Sequence, residues 1–279
     1  MTQILNGKDV AAYIKQQVKT EIENKNINAC LAVIVVGNDP ASQVYVRNKK
    51  KACEEVGIKS VVYELEENST EEDLLFLIDM LSVDPFVQGI LVQLPLPKHI
   101  DESKVIAAIP PEKDVDGFHI ENTGKLWSGM QCDIVACTPA GVIEMLDYYN
   151  IDIAGKHCVI VGRSNIVGKP MAALLLDRNG TVTICHSKTK NLAKITKQAD
   201  ILVVAIGKSK FVTADMVKNG AVVVDVGINR DENGKLCGDV DFENVKEKTS
   251  WITPVPGGCG PMTVAMLMKN VLGAVKIQK

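Results

Sequence analysis

A chain of 279 residues is long for a single compact core and sufficient for two α/β domains. Its 46% hydrophobic and 23% charged residues describe a soluble globular protein, and a formal net charge of −3 argues against broad nucleic-acid binding while leaving room for local anion sites. No apolar run approaches the length of a membrane span, and residues 1–10 lack the basic-then-apolar order of an export signal, so a cytoplasmic protein with no membrane partner is expected.

In chain order, residues 8–25 carry apolar side chains at Val10, Ala11, Ile14, Val18 and Ile22, a spacing that predicts an amphipathic helix. The solid apolar run at residues 30–36 predicts a buried strand that breaks at Gly37-Asn38-Asp39-Pro40. A helix at 42–56 stopped by Gly57, a strand at 58–65, and a helix opened by a capping box between Ser69 and Glu72 follow, then a strand at 89–92. Strands alternating with helices imply a parallel sheet with helices on both faces, and such sheets bind ligands beyond the carboxyl ends of their strands.

Those strand ends carry Gly37-Asn38-Asp39 and Gln93-Leu94-Pro95-Leu96-Pro97. Tyr45 and Lys49 are four apart on the helix after the first of them, so they share a face. Either both reach one ligand, or Lys49-Lys50-Lys51 is a solvated basic face with Tyr45 half-buried. The breaker-rich stretch at 110–118 predicts a loop holding two carboxylates, Asp114 and Asp116. A carboxylate there either bonds the N–H groups of its own turn or accepts paired N–H donors from a heterocycle. Thr138-Pro139-Ala140-Gly141 then opens a helix to about residue 149.

The alternation restarts with strands at 158–161, 181–185, 201–205 and 222–226, and a final apolar helix is expected at 264–276. The expected division is residues 1–138 plus 264–279 as one domain and 139–263 as a Rossmann-like one. Gly162-Arg163-Ser164 through Val167-Gly168-Lys169-Pro170 joins the first of these strands to a helix, aiming N–H groups and the helix dipole at one spot, as a pyrophosphate requires. The turn departs from G-x-G-x-x-G, since Ser164 replaces the second glycine and Gly168 comes one residue late. The next strand ends in Cys185-His186-Ser187-Lys188-Thr189, without the Asp or Glu that an NAD ribose calls for. Ser187 with Arg163 and Lys188 suits a 2′-phosphate instead, which predicts NADP over NAD; His186 receives no role. The eight cysteines form no C-x-x-C, so no metal is expected, and Cys30, Cys158 and Cys185 read as packed thiols.

Seven segments together resemble the bifunctional methylenetetrahydrofolate dehydrogenase/cyclohydrolase family in order and spacing. They are Tyr45-Val46-Arg47-Asn48-Lys49, Val92-Gln93-Leu94-Pro95-Leu96-Pro97, Lys113-Asp114-Val115-Asp116-Gly117-Phe118, Cys137-Thr138-Pro139, Gly162 through Pro170, His186-Ser187-Lys188-Thr189, and Pro254-Val255-Pro256-Gly257-Gly258 through Gly260-Pro261-Met262-Thr263. The resemblance implies NADP-dependent oxidation of 5,10-methylenetetrahydrofolate to 5,10-methenyltetrahydrofolate, hydrolysis to 10-formyltetrahydrofolate, and a homodimer. It implies Lys49 as the catalytic residue, Tyr45 stacking on the folate, Gln93 bonding the lysine, Asp116 on the pterin, and Pro256-Gly257-Gly258 lining the cleft near folate and nicotinamide. Gly162, Arg163, Ser164, Val167, Gly168, Ser187 and Ile228 are the cofactor-binding residues it implies. The chain departs from the family pattern at Ala136, often proline, and Cys259, usually valine; Cys137 reads as a packed thiol because no step needs a covalent intermediate. The rival expectation is an NAD-dependent or dehydrogenase-only relative.

Overall fold

Seven consecutive apolar residues leave no face for water, and in the computed structural model, which describes residues 2–278, all of Cys30–Val36 is buried. The first half runs β1 (Gln3–Ile4), α1 (Gly7–Lys25), β2 (Cys30–Val36), α2 (Pro40–Val56), β3 (Lys59–Leu65), α3 (Glu71–Val83), β4 (Gly89–Val92), α4 (Glu102–Ala108), α5 (Ile120–Trp127) and α6 (Cys137–Tyr148). The second runs β5 (His157–Val161), α7 (Gly168–Asp177), β6 (Thr181–Cys185), α8 (Leu192–Thr196), β7 (Ile201–Val204), β8 (Val222–Asp225), β9 (Asn229–Arg230), β10 (Leu236–Cys237), α9 (Phe242–Val245), β11 (Trp251–Ile252) and α10 (Cys259–Ile277).

The chain forms two compact units. One comprises Ala12–Cys137 and the residues from Val264 onward, built on a parallel three-stranded sheet of order β3-β2-β4. Its core joins Ile34 and Ile90 of the sheet to Leu74, Ile78 and Leu81 of α3. Within it α10 is tied to the 110–118 loop and to the stretch before α6: Asn270 Nδ2 donates to the carbonyls of Val115 (2.9 Å) and Val135 (2.8 Å). The other unit comprises the residues up to Ala11 with Thr138–Thr263, on a six-stranded parallel sheet of order β1-β11-β8-β7-β5-β6. Val159, Val161, Leu202, Val204 and Val223 supply its core.

Three expectations shift. The first eleven residues group with the second unit, not with residues 12–137, because β1 adds an edge strand beside β11, pairing Ile4 with Ile252; residues 1 and 279, the outer ends of the expected domains, lie outside the described residues. The capping box of α3 is one residue later, between Thr70 and Asp73, because Ser69 N already closes a turn onto Glu66 O. The last helix begins at Cys259, taking in Gly260 to Thr263, whereas a start at 264 was expected from the glycines and Pro261. Proline is tolerated there because the first helical N–H groups have no intrahelical acceptor. Short elements such as α4, α5, β9 and β10 carry too little periodicity to be read from sequence. No helix among the described residues is long and apolar enough to cross a membrane.

Candidate active site

Asp39 caps α2 by accepting from Ser42 N (2.7 Å), so the helix starts directly beyond the carboxyl end of β2. Tyr45 and Lys49 follow one turn apart. Lys49 is only 8% exposed, and its Nζ donates to Gln93 Oε1 at 3.1 Å. A buried ammonium without an acceptor is costly, so this bond fixes where the lysine points. Gln93 is itself held: its backbone N donates to Ile34 O (2.9 Å) and its Nε2 to Leu94 O (2.7 Å), which leaves Oε1 for the lysine. Tyr45, at 37% exposure, keeps part of its ring accessible, and burial pushes its hydroxyl pKa up. The structure therefore joins Lys49 and Gln93 directly and sets Tyr45 one turn away on the same helix.

The two loop carboxylates divide the alternatives between them. Asp114 is buried and accepts from His119 N (2.7 Å) and Asn122 Nδ2 (3.1 Å), so it serves its own loop. Burial, opposed by those bonds, pushes its pKa up to about 6. Asp116 accepts no side-chain hydrogen bond from any described residue, burial raises its pKa, and the charge of Lys49 pulls the other way. A carboxylate in that condition gains most from new N–H donors. Gly117 sets its direction: with φ +75° its Cβ would lie 2.5 Å from Ala136 N, so only glycine permits the turn. A small pocket with Val92, Leu94, Val105 and Phe118 in its wall also has Asp114 and Asp116 there.

In the other unit, Gly162 has φ +135°, and a Cβ on it would meet Ala205 O at 2.3 Å; one on Gly168 would meet Gly162 O at 2.4 Å. The turn folds onto itself too tightly for any side chain at either place. Ser164 Oγ accepts from Val167 N (3.1 Å) and Gly168 N (3.3 Å), so the hydroxyl caps the N–H groups that open α7. Gly162 N bonds Cys185 O across β5 and β6, which brings the turn beside His186-Ser187. There His186 Nδ1 accepts from Lys188 N and Thr189 Oγ1 accepts from His186 N, a closed turn that leaves Ser187 and Lys188 exposed, as is Arg163. Ile228 follows β8 and is 49% exposed.

The Pro256-Gly257-Gly258 loop rests on a residue that sequence reasoning missed. Gly7, the first residue of α1, would place a Cβ 1.9 Å from Gly258 O, so the helix start abuts the loop backbone. A glycine directly before a helical pattern was the available signal, although it reads equally well as a simple start. Gly257 adds a φ of +111°. Cys137 and Cys259 are buried, and burial raises both thiols, which suits packing and not nucleophilic attack. Among the described residues no group of three or more His, Cys, Asp or Glu side chains is able to hold a metal ion.

Residues 5–116 match the family described as tetrahydrofolate dehydrogenase/cyclohydrolase, catalytic domain, and residues 136–279 match its NAD(P)-binding domain. The "Bifunctional protein FolD" of Acetivibrio thermocellus is 61% identical over 278 residues, covering 99% of this chain and 97% of the relative. The structure of FolD methylenetetrahydrofolate dehydrogenase/cyclohydrolase from Campylobacter jejuni is 52% identical with a TM-score of 0.97, covering 100% of both chains. That of the Trypanosoma brucei enzyme, "complexed with NADP cofactor and inhibitor", is 37% identical with a TM-score of 0.94, covering 99% of this chain and 98% of that one.

The contrast between the two aspartates is measurable. An unfolded aspartate titrates near about 4, whereas Asp114 in the fold titrates at about 6. The folded chain thus binds this proton more tightly, and the stability it contributes is full below about pH 4 and lost as pH rises to about 6. Asp114→Asn, which does not ionise, is expected to gain stability relative to the native chain across that window and to keep a constant difference above it. Urea midpoints of both chains measured from pH 4 to 8 check this, and a difference that does not change with pH contradicts it.

Proposed function

The chain belongs to the tetrahydrofolate dehydrogenase/cyclohydrolase family, and on that basis we propose which of its side chains carry the family's two reactions. It is a bifunctional enzyme: it oxidises 5,10-methylenetetrahydrofolate to 5,10-methenyltetrahydrofolate with NADP, and hydrolyses that product to 10-formyltetrahydrofolate. The observation that carries the assignment of roles is the part-buried Lys49–Gln93 bond, whose lysine charge acts on the half-buried Asp116, a carboxylate that accepts no hydrogen bond from the described residues.

The glycine cradle fits the cofactor. Gly162 and Gly168 leave no room for side chains, so a phosphate can approach the backbone of the turn at the start of α7, and Arg163, Ser187 and Lys188 are exposed at adjoining strand ends for a 2′-phosphate. When bound, NADP supplies the hydride acceptor. The oxidised carbon lies between two nitrogens whose lone pairs stabilise the product cation, so this step requires orientation and no base. Asp116 orients the pterin by accepting its ring N–H donors, and Tyr45 stacks on it. The Pro256-Gly257-Gly258 loop and Ile228, both of the NADP-binding unit, contribute contacts to the nicotinamide.

Hydrolysis needs proton movement. Acting from its neutral amine form, Lys49 takes a proton from the water that adds to the methenyl carbon; the resulting carbinol then releases its O–H proton to solvent as the carbon–nitrogen bond breaks, and the leaving ring nitrogen gains one from Lys49, which returns to the amine. The net change is one water consumed and one proton released. Gln93 holds the lysine at that carbon without supplying a charge of its own.

A homodimer and a cytoplasmic setting complete the proposal. Phe76, Met80 and Val83 line one exposed stripe of α3, Phe86 extends it, and β3 is an open edge of its sheet. A second copy of the chain covers that surface. Phe76→Glu with Phe86→Glu is expected to shift the sedimenting species from twice the chain mass to the chain mass, and a native chain that sediments as a monomer contradicts this reading. Lys49→Met is expected to lower cyclohydrolase turnover by about a hundredfold or more, the scale of a lost proton-transfer group; full retention, followed as decay of methenyl absorbance, rules the role out. Arg163→Ala is expected to raise KM for NADP by roughly tenfold and leave KM for NAD unchanged, whereas equal changes for both cofactors exclude a 2′-phosphate contact.

A further inference from the structure

Two buried carboxylates in the NADP-binding unit take no part in the roles above. Asp225 ends β8 and Asp239 lies two residues past β10; both are buried. Asp239 Oδ2 accepts from Ile206 N (2.6 Å) and Gly207 N (3.0 Å), and its Oδ1 accepts from Lys208 N (2.7 Å) and Asn229 Nδ2 (2.9 Å). Asp225 accepts from Gly227 N, Asp239 N and Val240 N, each at 2.9 Å, and its own backbone N donates to Thr253 Oγ1 at 2.7 Å. The fit has no slack: a Cβ on Gly238 would lie 1.9 Å from Asp225 Oδ2, and one on Gly227 would lie 2.3 Å from Asp239. Withdrawing two carboxylates from water without a cation is a costly way to tie loops, and burial pushes Asp225 up to about 7. What the pair holds is therefore informative.

The pair holds three strand ends at once. Ile206 to Lys208 follow β7, Gly227 to Asn229 follow β8, and Thr253 leads from β11 into the Pro-Gly-Gly loop. In the order β11-β8-β7-β5-β6 these are the three consecutive strands on one side of β5, and β6 with Ser187 is on the other. A dinucleotide with its pyrophosphate at the β5 turn and its 2′-phosphate toward β6 has only the β7 and β8 side for its remaining half. A Cβ on Gly162 would meet Ala205 O, just past the end of β7, so the turn lies against that strand end. Ile228, with its exposed apolar side chain, sits between Gly227 on Asp225 and Asn229 on Asp239.

We propose that Asp239, seated on Asp225, is a positioning residue for the nicotinamide end of NADP, holding the 206–208 loop and Ile228 as a preformed surface for that end. The proposal rests on the assignment of this unit as the NADP site. It is tested by calorimetric titration of the full chain with NADP and with adenosine 2′,5′-bisphosphate, which carries the 2′-phosphate but no nicotinamide. Asp239→Asn is expected to weaken NADP binding by about tenfold, the scale of a lost hydrogen bond to a charged group, and to change the fragment's affinity by less than about twofold. Asn229→Ala, which removes one donor and leaves the others, is expected to show the same selectivity at roughly three- to fivefold and decides the matter if the aspartate variant does not fold. Equal weakening of both ligands, or no weakening of NADP in a folded variant, overturns the proposal. A native chain that binds neither ligand overturns the NADP assignment itself.

Discussion

A carboxylate removed from water must find N–H donors, and each unit is arranged around that requirement. Asp114 finds them in His119 and Asn122, and so closes the loop after the helix-breaking prolines. Asp225 and Asp239 find them in the backbone at the ends of β7 and β8. Asp116, only half-buried and so still reached by water, accepts none from the described residues, and it stands in the unit that also buries Lys49. The satisfied carboxylates build scaffold, and the half-buried Asp116 keeps its oxygens open to donors from outside the chain. Lys49 obeys the matching rule for a cation: Gln93 neutralises nothing but satisfies one donor and sets its direction.

How far the sequence discloses this depends on the range of the interaction. Strands made of apolar or β-branched residues are legible to the residue, as at Cys30–Val36, Gly89–Val92 and Thr181–Cys185, because their pattern is local. The strand-end rule then leads to Gln93 and to the turn at Gly162 without any coordinates. The choice between Asp114 and Asp116 is not legible, since both stand in one loop and only the positions of His119 and Asn122 decide which is already satisfied. The Asp225–Asp239 pair is hidden for the same reason: fourteen residues separate its members and a hairpin intervenes. Two-residue strands such as β1 and β11 exist only through their partners, so the placement of the amino-terminal residues follows from pairing and not from local preference.

The irregular glycine turn shows how a broken motif retains its physics. Gly162 and Gly168 are both required, since each would drive a side chain into backbone, yet they need not be spaced as in G-x-G-x-x-G. Ser164, standing where a glycine was expected, gathers two N–H groups at the start of α7 with its hydroxyl. The neighbouring strand end keeps Ser187 and Lys188 exposed and offers no carboxylate to a ribose. The turn thus keeps its tight backbone without the G-x-G-x-x-G spacing, beside a strand end whose exposed side chains include no carboxylate.

The most direct measurement of the central claim, that Asp116 and Lys49 together hold the reacting folate, is a crystal structure of the chain with NADP and a tetrahydrofolate analogue. The account predicts the Asp116 carboxylate accepting from two adjacent N–H donors of the pterin, with Lys49 Nζ still on Gln93 and directed at the one-carbon position. A pterin bound away from Asp116, with that carboxylate facing solvent and Lys49 remote from the one-carbon atom, contradicts it.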